Sequence, residues 1–279
     1  MTTLISWVTY DQTGPASLYV ASDSRLSWGQ KAYWDFGRKV YFSSKYPDIL
    51  GFCGEAMFCS QVMSQIIAYI DSCDVFEETT QSDERFELVY NLVTRSFGDY
   101  PLAFALDSFQ IIYATRQAKR CFHVYLIEWN KRKPKGQQWK TTKLEIPTTT
   151  GLIASLGSGS ESYREHYRTV YSKSDINGLS RSFYSSLSTH IDTNTDPLTG
   201  GAIQIASLYN VKSATAHGVI KGEKRYIYGM EVDPHDNINN VRWVNDEFEN
   251  CDGNSTQRRP GAQIQPLPSS IRNPLGKST

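Results

Sequence analysis

Two pairs of amphipathic helix patterns, each set between groups of β-prone runs, constrain the fold of this chain most strongly. Apolar residues recur at three- and four-residue steps over residues 56–70 and again over residues 82–97, which is typical of helices that bury one face. A second pair of helices is predicted further on, with the apolar positions Tyr163, Tyr167, Val170 and Tyr171 in one and Leu179, Phe183, Leu187 and Ile191 in the other.

The β-prone runs lie before, between and after these helix pairs. Strands are predicted over residues 4–10, 17–21, 39–42, 49–53, 109–115, 121–129, 138–146, 151–156, 202–209, 214–220 and 225–232. Two facing sheets with one helix pair on each outer face would bury every apolar stripe. The pattern therefore predicts an α+β fold.

Composition and charge exclude several classes of protein. Lys plus Arg and Asp plus Glu number 29 each, so no basic excess points to nucleic acid or to an anionic membrane. No apolar run approaches the ~20 residues of a membrane span, and the start of the chain lacks the pattern of a signal peptide. The five cysteines form no close CxxC pair, and the five histidines show no metal-binding spacing. We expect a cytoplasmic protein without disulfides, metal or cofactor.

The polar end of the chain differs in composition from the rest. From Asn250 onward the sequence is rich in Pro, Gly, Ser and Gln and shows no periodicity. Such a composition is typical of disordered segments, because it offers too little apolar surface to offset the entropy of ordering. The sequence predicts one domain over residues 2–249 and a disordered tail over residues 250–279.

Thr2 carries a possible nucleophile at the start of the chain. It follows Met1, and removal of Met1 is expected because the next residue is small. The α-amine of a terminal Thr titrates near ~8, below the ~10.4 of a Lys side chain. This amine can therefore act as a general base for the adjacent hydroxyl at neutral pH.

Three further residues stand where predicted strands begin or end. Asp23 follows the second strand, Lys39 comes sixteen residues later, and Gly54 stands at a strand-to-helix junction. A Lys ammonium beside Thr2 would favour the alkoxide, and Asp23 would hold that ammonium in place. The Gly54 amide is a candidate oxyanion donor. Taken singly, an Asp and a Lys at strand ends are usually solvated surface residues.

Two loop motifs complete the set. The run Gly157-Ser158-Gly159 lies at a strand-to-helix turn, where it fits a helix cap or a phosphate-binding nest. The run Asp196-Pro197-Leu198-Thr199-Gly200-Gly201 is typical of a turn before a strand.

In this order the motifs resemble the proteasome β-subunit family of N-terminal-nucleophile (Ntn) threonine peptidases. The matching elements are Thr2, Asp23-Ser24-Arg25, Lys39, Cys53-Gly54, Gly157-Ser158-Gly159 and Asp196-x-x-Thr199-Gly200-Gly201. The resemblance covers about residues 2–230. It implies a four-layer αββα sandwich of the Ntn-hydrolase type.

The resemblance also implies catalytic roles. Thr2 would be the nucleophile with its own α-amine as proton shuttle, and Lys39, paired with Asp23, would lower the pKa of the hydroxyl. The Gly54 amide would receive the oxyanion. Phe52, two residues before that glycine, would shape the primary specificity pocket and favour small or medium apolar side chains.

Three other residues, Ser158, Asp196 and Thr199, would surround and orient the terminal amine. Thr199 replaces the Ser usual in the family, which keeps the hydroxyl. The first hairpin is longer than usual, since 21 residues separate Thr2 from Asp23. No propeptide beyond Met1 is expected.

The implied assembly is a self-compartmentalised homo-oligomeric ring that cleaves peptides or unfolded proteins. An ATP-dependent unfoldase is a candidate partner. Neither nucleic acid nor a membrane is expected as a partner. Two alternatives remain open at this point: an Ntn amidase acting on a small amide, and a catalytically silent scaffold subunit. The complete Thr, Asp and Lys set speaks against the scaffold, because a silent subunit has no need of all three.

Overall fold

A computed structural model of the chain describes residues 2–29, 32–101, 106–193, 196–233, 235–236 and 241–265. These residues form a mixture of helices and β-sheets. Among them, no helix is both long and apolar enough to span a membrane.

The elements follow one another in the predicted order. Strands β1 (Leu4–Asp11), β2 (Gly14–Ser22), β3 (Leu26–Trp28), β4 (Ala32–Trp34), β5 (Val40–Phe42) and β6 (Asp48–Gly54) precede helices α1 (Ala56–Ser72) and α2 (Ser82–Gly98). Next come β7 (Ser108–Ala118), β8 (Cys121–Asn130), β9 (Trp139–Leu144), β10 (Gly151–Leu156), α3 (Ser160–His166), a π-helical turn (Tyr167–Tyr171) and α4 (Ser180–Asp192). The last strands are β11 (Gln204–Tyr209), β12 (Thr215–Lys221), β13 (Lys224–Ile227), β14 (Met230–Glu231), β15 (Arg242–Val244) and β16 (Asn250–Cys251).

Two large sheets and one small hairpin make up the β-structure. One sheet has the strand order β10-β1-β2-β11-β12-β13-β14, and β15 joins it by pairing in parallel with β12. The other sheet runs β5-β6-β7-β8-β9 and is antiparallel throughout. Strands β3 and β4 pair only with each other among the described residues.

Three apolar clusters stabilise this arrangement. Residues of α1 and α2 pack with the five-stranded sheet in the first cluster, and residues of both sheets meet in the second. The third cluster joins the larger sheet to α3 and α4. Each amphipathic helix pair therefore covers one sheet, as the apolar stripes predict.

Strand β1 shows why the larger sheet is apolar on both faces. Successive side chains of a strand point to opposite faces. Leu4 accordingly belongs to the cluster between the sheets, whereas Ile5 and Trp7 belong to the cluster under α3 and α4. The Trp7 ring stacks on Tyr19 with centroids 4.9 Å apart, and its indole N–H donates to Ser180 Oγ at 2.8 Å.

Local details differ from the sequence expectations in three places. The β3–β4 hairpin is absent from the predicted strands, because three-residue strands carry too few residues to show an alternation. Leu179 is not an inward position of α4; it is the N-cap residue and is 47 % exposed. The helix predicted around Tyr163 and Tyr171 is divided into α3, which ends at His166, and a π-helical turn over Tyr167–Tyr171.

The prediction of a disordered tail is wrong for residues 250–265. Strand β16 pairs with β15, and Cys251 is fully buried against Trp243 and Ile220. The buried Arg225 guanidinium also donates to the carbonyl of Gly253 at 3.0 Å. Residues 266–279 of the predicted tail lie outside the described residues.

A truncation series tests this correction. We expect a chain ending at Glu249 to lose about 3 kcal/mol of unfolding free energy, because Trp243 loses its cover and Arg225 loses a buried acceptor. A chain ending at Gln265 should stay within about 0.5 kcal/mol of the full chain. Denaturation in guanidinium chloride measures both. Equal stability of the full chain and of the chain ending at Glu249 would show that β16 contributes nothing to the fold.

Candidate functional site

The predicted site residues come together where strands of both sheets end at the same edge. Thr2 lies two residues before the start of β1, Asp23 follows β2, Lys39 precedes β5 and Gly54 ends β6. Antiparallel pairing of β1 with β2 and with β10 brings their ends side by side. Tertiary structure thus gathers residues that lie far apart along the chain.

A buried ion pair lies at the centre of this edge. Lys39 Nζ donates to Asp23 Oδ1 at 2.9 Å, and both side chains are fully buried. Burial lowers the pKa of Lys39 below its ordinary value, while the Asp23 charge opposes that change. The result is a Lys close to a compensating carboxylate in a site sheltered from solvent.

Main-chain donors hold the Asp23 carboxylate in a single orientation. Its Oδ1 accepts from the amide of Thr3 at 3.0 Å, and its Oδ2 accepts from the amides of Arg25 and Gly200 at 3.1 Å each. An ionised carboxylate is acceptor-only and can satisfy all of these donors together with the Lys39 ammonium. The pair is therefore fixed by three separate segments of backbone.

A second polar chain leads away from the main-chain nitrogen of Thr2. This nitrogen donates to Ser158 Oγ at 3.3 Å, and Ser158 donates to Asp196 Oδ2 at 3.3 Å. The same carboxylate oxygen accepts from Thr199 Oγ1 at 2.9 Å, and Thr199 also shares a 2.9 Å hydrogen bond with Thr3 Oγ1. Ser158 therefore connects Asp196 to Thr2, whereas Thr199 connects Asp196 to Thr3.

Two glycines of the site have backbone conformations and close neighbours that no other residue type would allow. Gly54 has φ +100°, and a Cβ there would lie 2.5 Å from the carbonyl oxygen of Ser108. Gly157 has φ +88°, and a Cβ there would lie 2.0 Å from the carbonyl oxygen of Thr2. Only glycine allows both the positive φ and the close approach.

An apolar cleft of about 420 Å³ opens beside Thr2 and Gly54. Its other walls include Leu26 and Trp28 from β3 and Met57 from α1. Trp28 is 63 % exposed and Met57 is 61 % exposed. Large apolar side chains at the mouth of a cleft are typical of a surface that binds an apolar group.

The β3 wall of the apolar cleft is anchored by an arginine. Arg25 makes a two-pronged ion pair with Asp35, at 2.7 and 2.8 Å, across the base of the β3–β4 hairpin. Its third nitrogen donates to the carbonyl of Pro197 at 2.9 Å, and its guanidinium lies 4.0 Å from the centre of the Tyr33 ring. The hairpin is thereby tied to the loop that carries Asp196.

Phe52 lies away from the open cleft. Its side chain is 1 % exposed and belongs to the cluster between the five-stranded sheet and helices α1 and α2. It is absent from the walls of the apolar cleft. A role of Phe52 in specificity remains a prediction. The apolar walls of the open cleft are Leu26, Trp28, Ala56 and Met57, and its polar lining residues are Thr2, Ser27, Glu55 and Ser60.

Gln204 is a site residue that the sequence reasoning missed. Its Oε1 accepts from the amides of Lys39 and Val40 at 2.9 and 3.3 Å. Its Nε2 donates to the carbonyl of Gly37 at 2.6 Å and to Ser24 Oγ at 3.2 Å. The available signal was that Gln204 is a polar residue at the start of a buried, apolar strand. Its hydrogen-bond partner Lys39 lies more than 160 residues away along the chain, so the sequence does not show what Gln204 binds.

Comparisons with known proteins complete the description of this site. No protein-family model matches the chain, and no curated protein matches it. Among solved structures, the eukaryotic HslV from Trypanosoma brucei aligns with a TM-score of 0.44 and 12 % identity, over 74 % of this chain and 99 % of that chain. Similarity at this level assigns no activity.

Replacing Gln204 tests how much the site depends on it. We expect Gln204→Leu to lower the free energy of unfolding by about 3 kcal/mol, because it leaves the buried amides of Lys39 and Val40 without an acceptor. The exposed Gln137→Leu is the matched control and should change stability by less than about 0.5 kcal/mol. Denaturant unfolding measures both. Equal effects of the two substitutions would contradict the structural role of Gln204.

Proposed function

We propose that this protein is a threonine-type peptidase of the Ntn-hydrolase class, in which Thr2 attacks peptide amide bonds. One observation carries the proposal. Thr2 lines an open apolar cleft, and its nitrogen contacts the polar chain through Ser158 and Asp196. The next residue, Thr3, donates its amide to the buried Asp23 that pairs with Lys39. A nucleophile, a cation, an orienting chain and a substrate cleft therefore share one edge.

The chemistry begins when removal of Met1 frees the α-amine of Thr2. The hydroxyl oxygen then attacks the substrate carbonyl carbon, and its proton passes to the α-amine. The amide of Gly54 stabilises the oxyanion. When the C–N bond breaks, the ammonium of Thr2 returns the proton to the leaving amine and an ester remains. Water then attacks this ester, with the amine again as base, and releases the acid and the free hydroxyl.

The buried ion pair supports this reaction electrostatically. A Lys39 ammonium close to the Thr2 hydroxyl favours the alkoxide, and its effect is strong because burial excludes the screening of water. Asp23 keeps the cation in place and compensates its charge. Ser158 and Asp196 orient the amine, and Thr199 holds Asp196 from the other side.

The proposal extends to architecture and assembly. We infer that the three apolar clusters separate the four layers of an αββα sandwich over the domain 2–249, extended by residues 250–265. We also propose that the chain forms a cytoplasmic homo-oligomeric ring that degrades peptides or unfolded proteins, with an ATP-dependent unfoldase as a candidate partner. Enclosure in a ring would protect other proteins from an open hydrolytic site.

Replacing the nucleophile tests the activity. We expect Thr2→Ala to reduce hydrolysis of fluorogenic peptide amides by about four orders of magnitude with an unchanged fold, because the nucleophile is lost. Thr2→Ser keeps a hydroxyl and an amine and should retain part of the activity. Intact mass of wild-type protein should show loss of Met1 and, with a slow ester-forming inhibitor, an adduct on Thr2.

A second variant, Lys39→Arg, keeps the positive charge of Lys39 and tests whether charge alone is sufficient. Lys39→Arg should be as inactive as Thr2→Ala, because the bulkier guanidinium does not fit a fully buried site and does not give up its proton. Near-wild-type turnover by the Ala variant would rule out the proposed nucleophile. Retention of Met1 in fully active protein would rule out the role of the α-amine.

Light scattering tests the ring. We expect wild-type protein at micromolar concentration to be a homo-oligomer of at least six subunits, because fewer subunits cannot enclose a chamber. The chain ending at Gln265 should assemble in the same way, since it keeps strand β16. A monomer or dimer that still hydrolyses small amides would contradict the ring and favour the Ntn amidase. A large oligomer without any hydrolysis would favour the silent scaffold subunit.

A further inference from the structure

A row of polar side chains crosses four strands of the five-stranded sheet next to Thr2. Cys53 on β6 pairs with Gln110 on β7, Gln110 pairs with Glu128 on β8, and Glu128 pairs with Lys140 on β9. Residues directly opposite one another in antiparallel strands point to the same face of the sheet. The four side chains therefore form one continuous row.

This row lies at the end of an apolar face. Two and four residues before Glu128 on β8 stand Leu126 and Val124, and two residues after Gln110 on β7 stands Ile112. Val124 and Ile112 belong to the apolar cluster between the two sheets. By the same alternation, Gln110 and Glu128 extend that face to its end. A carboxylate at this position is not explained by core packing.

Three members of the row, Cys53, Gln110 and Glu128, line a cavity of about 390 Å³, here called the polar cavity. Its walls include Gly54, Ser108, Gln110, Glu128, Asn130 and Ser158. Among the described residues that line it, Glu128 is the one with a formal charge. Gly54 also lines the apolar cleft, so the two openings meet at the candidate oxyanion donor.

The position of the Thr2 nitrogen indicates which part of a substrate would enter the polar cavity. The proposed reaction returns a proton from this nitrogen to the leaving amine. The nitrogen contacts Ser158, and Ser158 lines the polar cavity. In the proposed reaction the leaving amine and the residue attached to it would therefore enter the polar cavity, and the acyl part would enter the apolar cleft lined by Trp28 and Met57.

A chain of hydrogen bonds from Cys53 through Gln110 orients the carboxylate of Glu128. Burial raises the pKa of the Cys53 thiol to about 12, so Cys53 keeps its proton and donates it to Gln110 Oε1 at 3.3 Å. The amide of Gln110 is thereby oriented, and its Nε2 donates to Glu128 Oε1 at 2.8 Å.

The second oxygen of the Glu128 carboxylate has a weak competitor. It lies 3.4 Å from Lys140 Nζ, and the Lys140 side chain is 71 % exposed. Exposed ion pairs of this kind contribute little free energy. A cationic group of a substrate can therefore displace Lys140 at small cost.

We propose that Glu128 forms the subsite for a positively charged residue directly after the scissile bond. The preferred substrate is then a polypeptide with an apolar residue before the cleaved bond and Lys or Arg after it. This inference rests on the proposed function, because the direction of the substrate follows from the role of the Thr2 amine. Glu128 acts here as a specificity determinant and takes no part in bond breaking.

Binding to an inactive enzyme tests the subsite without hydrolysis. The probes are three fluorescein-labelled peptides with Met before the scissile bond and Lys, norleucine or Glu after it. With the Thr2→Ala protein, fluorescence anisotropy should show the Lys peptide binding about tenfold more tightly than the Glu peptide. Adding Glu128→Gln should abolish most of this ratio and leave the affinity for the norleucine peptide unchanged.

Two controls separate Glu128 from general electrostatics. Asp107 lines a different opening beside Gly54, and Asp107→Asn should leave the Lys-to-Glu ratio unchanged. Lys140→Gln removes the competing ammonium and should strengthen binding of the Lys peptide. An unchanged ratio in Glu128→Gln, an equal loss in Asp107→Asn, or no binding of any peptide would each overturn the subsite.

Hydrolysis by wild-type protein then separates the two proposals. Cleavage of all three peptides without preference for Lys would overturn the subsite and leave the peptidase standing. A binding preference that depends on Glu128, without cleavage of any peptide, would overturn the peptidase and retain the cation subsite.

Discussion

The buried pair between Lys39 and Asp23 is the interaction on which the rest of the site depends. Two opposite charges without solvent contact are stable only when their remaining hydrogen-bonding groups are satisfied. Asp23 meets this condition through main-chain amides of three segments, and Gln204 fixes the backbone that carries Lys39. The loops at this edge are therefore shaped around one pair of charges, and a displacement of any of them would leave a buried charge uncompensated.

Glycine sets the other constraint, because separate segments of backbone approach each other closely at this edge. Gly54 ends a strand with a positive φ and lies where the apolar cleft and the polar cavity meet. One side of the groove presents Trp28 and Met57, and the other presents Glu128. If the groove binds a polypeptide as proposed, its chemically different ends would fix the direction of that chain, which a site for a small symmetric amide has no need to do.

Much of the fold followed from periodicity. The helix over residues 56–70 and the strand over residues 49–53 correspond to α1 and β6, since their apolar patterns record which face is buried. The β3–β4 hairpin and the ordered segment after Asn250 did not follow. Three-residue strands are too short for a pattern, and β16 is stabilised by contacts with Trp243 and Arg225 that composition does not reveal.

The sequence by itself determined which residue types were available for chemistry and at what spacing: a Thr at position 2, an Asp, a Lys and glycines at strand ends. Only the tertiary structure decided that Lys39 and Asp23 are fully buried together, that Phe52 lies in the core rather than in the open cleft, and that Glu128 shares a cavity with Gly54 and Ser158. The physical reason is that burial, charge pairing and cavity shape arise where strands distant in sequence end side by side. A local pattern records the face of each strand but not its neighbours.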